Sequence, residues 1–476
     1  DAMKHKITKA IPTFLSIICV TSPYVSAQAQ DAPFKITDGL FDTAQKETMG
    51  LSYAPEAETV TIWKAAESGN HYANGVVMTA FKGDLYCMWQ TSATDEDAAD
   101  TYVAYSRSTD GGQTWSGPMT LCPTIANGYC ASGGWISTDE LLVGFINVRT
   151  DEIANSGGYT QYVESTDGLT WSSPQDVLMA DGNALNGIFE QDPHKAENGR
   201  IIGAAHFQPG LLLSPIYTDD DTGRTGWTKA TFQFTANGTQ SAELEPSFFR
   251  QNDGTWVMTM RDQKNSYTVL AATSNNNGET WTNSTGTNMP DSRAKQSAGN
   301  LSDGTAYIVN NPGRVTNSSN KTWRVPLAIT LSADGKTFDH AYMLRSGLSD
   351  DYPELQYTGK AKTLGYSYPK SMVHQGWLYV SYSTNKEAAQ YTRVPINNIA
   401  LGVKALPANE MLSMDGRRLT AHSDARIEVF DVRGSCLLTS PLSKDSSASL
   451  DALPAGLYVI RVKTASATAT QKVMLR

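Results

Sequence analysis

The chain is poor in cysteine and histidine and has no surplus of positive charge. Five cysteines in 476 residues, with no Cys-x-x-Cys, exclude a zinc ribbon and a dithiol redox motif. Seven histidines, none in a His-Glu-x-x-His arrangement, exclude the common helical zinc-hydrolase site. Neither a Gly-x-Ser-x-Gly elbow nor a phosphate-binding glycine loop is present, so serine-hydrolase and nucleotide chemistry have no seat. Asp219-x-Asp221-x-Gly223 opens like a calcium loop, but Ala230 stands where the closing glutamate belongs, and the stretch reads as a polar turn. No metal site and no cofactor are expected. A formal net charge of −10 argues against nucleic acid as a partner. It leaves room for a small acidic ligand, which a local arginine cluster can hold. No apolar run approaches the roughly 20 residues of a spanning helix, which predicts a soluble mature chain. No amphipathic helix of three turns is apparent either.

What the chain does have is a repeated turn. Ser106 to Trp115 reads as a strand end, a tight Asp-Gly turn and a new strand opening on Thr114-Trp115. The pattern Ser-x-Asp-x-Gly-x-Thr-Trp recurs at Ser274 to Trp281 with Asn276 for the aspartate. Shortened copies stand at Ser165 to Trp171 and Ser332 to Phe338. Between these turns lie short alternating runs such as Leu85 to Trp89 and Trp377 to Tyr382, bounded by Gly, Asn, Asp and Pro. Repeated small hairpins that bury their faces only on neighbours predict an all-β fold, a six-bladed β-propeller over residues 31–401. Residues 3–29 have the basic start, apolar middle and small-residue end of a signal peptide, which would carry Cys19 away. Cys122 and Cys130 either pair or remain as buried thiols.

Residues 402–425 read as a linker and 426–476 as a small C-terminal β-sandwich. Its Leu453-Pro454-Ala455-Gly456-Leu457-Tyr458 run and closing Lys472-Val473 strand resemble the C-terminal sorting domain of type IX secretion. That resemblance implies secretion machinery as a partner and a location outside the cell or on its outer surface, with the periplasm as the alternative. An accessory carbohydrate-binding sandwich is the competing reading.

The repeated turn is the Asp-box, or BNR repeat, and the chain resembles the sialidase superfamily. The resemblance implies a secreted, divergent exo-α-sialidase-type glycoside hydrolase that removes terminal acidic sugars from glycans. In that family arginines hold the substrate carboxylate, an aspartate is the acid, and a tyrosine with a glutamate base is the nucleophile. The anomeric carbon of sialic acid bears a carboxylate, which would repel a carboxylate nucleophile. A tyrosine is neutral until its proton is taken, and arginine offers planar paired donors. Carried over residue by residue, the pattern implies Glu245 as base, Arg261 and Arg324 as carboxylate holders, and Tyr368 as nucleophile, with Tyr366 competing. The loop Thr94 to Asp100 falls where the acid is carried, so Asp95 or Asp97 takes that role.

The first half departs from the pattern. The family's Phe-Arg-Ile-Pro motif is absent, and His71 and Gln90 stand where two arginines are expected. A histidine suits proton transfer near neutral pH. The alternative is therefore a polysaccharide lyase or hydrolase for uronate or rhamnose-uronate linkages, using His71 with Tyr368 and drawing on His206 from another blade. A glycan-binding propeller without turnover is the third reading.

Overall fold

The computed structural model describes residues 31–153, 157–191, 193–196, 198–316, 322–349, 351, 354–401, 411–432, 434–464 and 468–475. The expected signal peptide lies outside the described residues. Strands dominate because the runs are short, alternating and rich in β-branched and aromatic residues, with turn formers between them. Among the described residues the one complete α-helical turn is Ile396–Ile399.

Between residues 58 and 395 the described strands form six antiparallel sheets of four or five strands, numbered here in chain order, beside two two-stranded pairs, Lys35–Ile36 with Thr337–Phe338 and Ala236–Asn237 with Gln240–Ser241. Sheet 1 is Tyr72–Phe81, Asp84–Ser92, Tyr102–Ser108 and Met119–Cys122. Sheet 2 is Gly128–Ser137, Leu142–Thr150, Tyr159–Ser165 and Gln175–Asp176. Sheet 3 is Gly187–Phe189, Ile201–Phe207, Leu212–Thr218 and Thr228–Lys229, with His194–Lys195 as a short extra partner. Sheet 4 is Glu243–Arg250, Trp256–Asp262, Thr268–Ser274 and Thr285–Pro290. Sheet 5 is Ser297–Asn300, Ala306–Asn310, Leu327–Ser332 and His340–Arg345. Sheet 6 takes Tyr366–His374, Trp377–Thr384 and Ala388–Pro395, and its outer strand is Glu58–Lys64 from the other end of the chain.

Each sheet packs on the next through its own apolar cluster. Trp135 and Val163 pack with Val77 and Met88 between sheets 1 and 2, and Trp256 and Met258 pack with Ile202 between sheets 3 and 4. Hydrogen bonds follow the same order. Ser132 Oγ donates to Gly75 O at 2.6 Å, Asn147 Nδ2 to Phe189 O at 2.6 Å, and Ala298 N to Ser247 Oγ at 2.8 Å. Sheet 6 meets sheet 1 through Ser383 Oγ, which donates to Ala73 O at 2.7 Å.

The Asp-box chemistry is local. Ser108 Oγ accepts Gly112 N at 2.9 Å, and Asp110 accepts Thr114 N at 2.9 Å and Thr114 Oγ1 at 2.6 Å. Those donors hold the Asp110 carboxyl down at about 2. The calcium-like stretch is a fifth turn of this kind: Asp220 accepts Thr225 N at 2.9 Å and Thr225 Oγ1 at 3.0 Å, and Trp227 Nε1 donates to Gly223 O at 2.7 Å. Thr218 stands where the other boxes have serine, and Asp219 turns away to Arg200 at 2.8 Å.

One box supports a direct stability test. Gly168, at φ +72°, lies against sheet 1, where an added Cβ would collide with the Tyr86 hydroxyl oxygen. Gly168→Ala is expected to cost about 2–3 kcal/mol, from left-handed strain plus overpacking. Urea unfolding measures it, and an unchanged midpoint would show that the turn does not seal sheet 2 onto sheet 1.

The C-terminal sandwich has a three-stranded sheet, Leu412–Asp415, Arg418–Ala421 and Ser447–Ser449, and a four-stranded one, Cys436–Leu442, Ala425–Phe430, Gly456–Lys463 and Thr468–Leu475. Two of its strands fall in the stretch read as linker, 402–425. They are four residues each, too short to stand out in the sequence, yet Leu412, Leu419 and Ala421 are core residues. Residues 402–410 lie outside the described set.

Candidate active site

Innermost strands carry the site because they are bulged. Register shifts fall at Asn74/Val77 in sheet 1, Ser132/Gly134 in sheet 2, Leu244/Ser247 in sheet 4 and Ser367/Lys370 in sheet 6. In sheet 1 the left-handed residue is Gly75, φ 61°, which bears that conformation without cost. In sheets 4 and 6 it is Glu245, φ 53°, and Tyr368, φ 56°. Each side chain costs on the order of 1 kcal/mol there, and such strain collects where a side chain must be aimed.

Glu245 and Tyr368 line one cavity of 230 Å3 with Gln90, Glu96, Asp97, Arg261 and Lys295. An adjoining hollow of 400 Å3 shares Glu96, Arg261 and Tyr368 and adds Arg293, Arg324 and Lys386. Larger hollows elsewhere hold none of the residues singled out from the sequence. Arg261 joins the bulged pair: its Nη1 donates to Glu245 Oε2 at 3.1 Å, and the Tyr368 phenol acts on the same guanidinium. Burial works to raise the Glu245 carboxyl, but Arg261, Lys295 and Arg324 outweigh it and hold it below the ordinary value. Burial lowers and Glu245 and Tyr368 raise the Arg261 pKa, with a net rise. The Tyr368 ring lies under Arg324 at 4.4 Å, with Lys295 at 5.3 Å and Lys386 at 5.4 Å. Arg324 is 9% exposed, and its Nη1 is buried without a partner among the described residues.

The remaining sequence candidates divide. Asp97, φ 63°, lines the cavity and accepts the Tyr129 hydroxyl at 2.5 Å. Asp95 is half-buried, accepts the Lys360 amide and is in neither cavity lining. Gln90 is buried at the cavity wall. His206 is buried and its Nε2 accepts Glu245 N at 3.3 Å, so the neutral ring steadies the bulge; burial lowers its pKa. His71 stacks on Tyr357 at 3.8 Å, sets its Nε2 3.1 Å from Ala66 O, and is in neither cavity lining. Tyr366 is fully buried, its hydroxyl donating to Ser346 O at 2.8 Å. The thiols of Cys122 and Cys130 are buried, free, and 3.3 Å apart.

A family model for the BNR repeat-like domain matches residues 83–380. The chain belongs to this family. A second model, the secretion system C-terminal sorting domain, matches residues 406–476 and marks this BNR repeat-like protein for export to the cell surface or beyond by type IX secretion. No curated protein matches the sequence. Among solved structures, a protein of unknown function from Dyadobacter fermentans aligns at 15% identity and TM-score 0.54, over 71% of this chain and 99% of its own. A sialidase aligns at 16% and 0.55, over 91% of this chain but 47% of its own. The leech intramolecular trans-sialidase, solved with 2,7-anhydro-Neu5Ac, aligns at 14% and 0.53, over 72% and 70%. The BNR repeat-like chain therefore has the all-β sialidase-like fold.

Several residues of the site were not read from the sequence. Glu96 accepts Tyr72 Oη at 3.0 Å, Asn74 Nδ2 at 3.3 Å and Lys386 Nζ at 2.9 Å. Burial pushes the Glu96 carboxyl up, but Lys386 and these hydrogen bonds bring it below the ordinary value. Glu190 receives Arg149 at 3.3 Å and Lys295 at 3.6 Å.

Proposed function

We propose that this exported protein is a glycoside hydrolase of the exo-α-sialidase type, built on a six-bladed β-propeller, that releases a terminal acidic sugar from glycans. Six sheets, each hydrogen-bonded to the next, with an N-terminal strand completing the last, support the propeller. One observation carries the activity: the bulged Glu245 and Tyr368 meet at Arg261 inside a cation-lined cavity. In this reading Arg261 and Arg324 hold the sugar carboxylate. Glu245 takes the phenol proton as Tyr368 attacks the anomeric carbon, and Asp97 protonates the leaving oxygen. Water then cleaves the glycosyl-tyrosine bond with the proton transfers reversed.

Incubation of purified protein with sialylated glycans and with uronate polysaccharides tests this. Free acidic sugar is the expected product. Near-ultraviolet absorbance from a new C=C bond would instead show elimination and overturn the reading. The pH profile gives a second check. The Glu245 carboxyl is depressed, so its base form outlasts a fall in pH through the ordinary glutamate value of about 4.3. The acid limb of kcat/KM due to Glu245 is expected below that pH. The same ion pair stabilises the fold above about pH 4.3 and is lost as pH falls through the lower folded value.

A further inference from the structure

We propose that Lys386 is a substrate-binding residue, the cation that engages the sugar carboxylate alongside Arg324 and Arg261; this rests on the acidic-sugar reading above. In the adjoining 230 Å3 cavity, sheet 1 contributes the neutral amides of Asn74 and Gln90 and no cation. In the hollow beside it a cation comes from sheet 6, whose last hairpin turns through Asn385 to Glu387 between Thr384 and Ala388.

The hairpin is built to deliver it. Asn385 and Lys386 take consecutive left-handed conformations, φ 54° and 56°, where glycine is the unstrained choice. The turn is pinned on both sides: Ala73 N donates to Lys386 O at 2.9 Å, and Gly365 N to Asn385 Oδ1 at 2.9 Å. The lysine is not a surface charge, since its side chain is 2% exposed. Its ammonium lies 5.4 Å from the Tyr368 ring centroid and lines the hollow with Arg261 and Arg324.

An ammonium has three donors. Lys386 spends one on Glu96 at 2.9 Å, and no other acceptor within the described residues takes the remaining two. Glu96 is in turn held by Tyr72 and Asn74, so it fixes the ammonium without satisfying it. Beside it, Arg324 Nη1 is likewise buried without a partner among the described residues. Unspent donors on two buried cations, converging over one tyrosine, call for an anion, and a single sugar carboxylate supplies the acceptors.

Calorimetric titration of the full chain with N-acetylneuraminic acid, its methyl ester and D-glucuronic acid tests the assignment. The wild type is expected to bind an acid and to discriminate against the ester. Lys386→Met is expected to weaken binding of the acid about tenfold to a hundredfold with little effect on the ester, and Lys386→Arg to keep most of the discrimination. Equal binding of the acid by wild type and Lys386→Met would overturn the assignment alone. So would an equal loss for acid and ester, which is what a purely structural lysine gives. A wild type that binds neither acid would overturn the acidic-sugar reading with it. Because Lys386→Met strands Glu96, the pair Glu96→Gln/Lys386→Met is measured as well. It removes both charges, and it is expected to discriminate acid from ester as poorly as the single variant.

Discussion

Tyr368→Phe is expected to lower kcat about 10³-fold or more while the protein folds normally and still binds acidic sugar. The substitution removes one oxygen. The bulge, the ring and its cationic neighbours Arg324, Lys295 and Lys386 stay in place. What is lost is the atom that would attack the anomeric carbon and accept the glycosyl group. Glu245→Gln should follow it in direction, because the neutral amide cannot take the phenol proton. Turnover of Tyr368→Phe at the wild-type rate would remove the tyrosine mechanism. The binding measurement on the same variant separates lost chemistry from lost substrate.

Arg261→Met is expected to cost about 3–5 kcal/mol of stability, the largest effect of any single substitution at the site on the fold itself. Glu245 is 7% exposed and Arg261 is its hydrogen-bonded ion partner at 3.1 Å. Without the guanidinium the carboxylate stays buried with its nearest positive partner gone. Adding Glu245→Gln to Arg261→Met should recover part of the loss, since an amide is cheaper to bury than an unpaired charge. Urea unfolding of the two single variants and the double variant closes the cycle. Additive effects would show that the two side chains do not depend on one another.

The parts of this molecule that were legible in its sequence are those whose physics is local. An Asp-box is written in fewer than ten consecutive residues, because Asp110 bonds the backbone and hydroxyl of Thr114 and nothing farther away. The Thr218 to Trp227 turn escaped because threonine replaces serine and the working aspartate, Asp220, lies between the two that drew attention. Glu245, Arg261, Arg324 and Tyr368 were singled out through the family resemblance rather than through local physics, and the fold brings them to two adjoining hollows. Glu96 and Lys386 were not. They are 290 positions apart and meet only once sheet 6 lies beside sheet 1. His71 drew attention as a histidine near the rim, but its stacking on Tyr357 depends on a loop whose course no local pattern fixes.

The strand Glu58–Lys64 pairs with Ala388–Pro395, matching Glu58 to Arg393. Nearly the whole β-sheet body must be synthesised before that pairing can form. A contact of such sequence separation is slow, because loop-closure entropy is lost before any bond rewards it. Until then sheet 6 exposes an unpaired edge, open to pairing with another chain. The seam therefore joins the two ends of the segment 58–395, so that cutting or deleting the first strand would leave the last sheet of the set with an open edge.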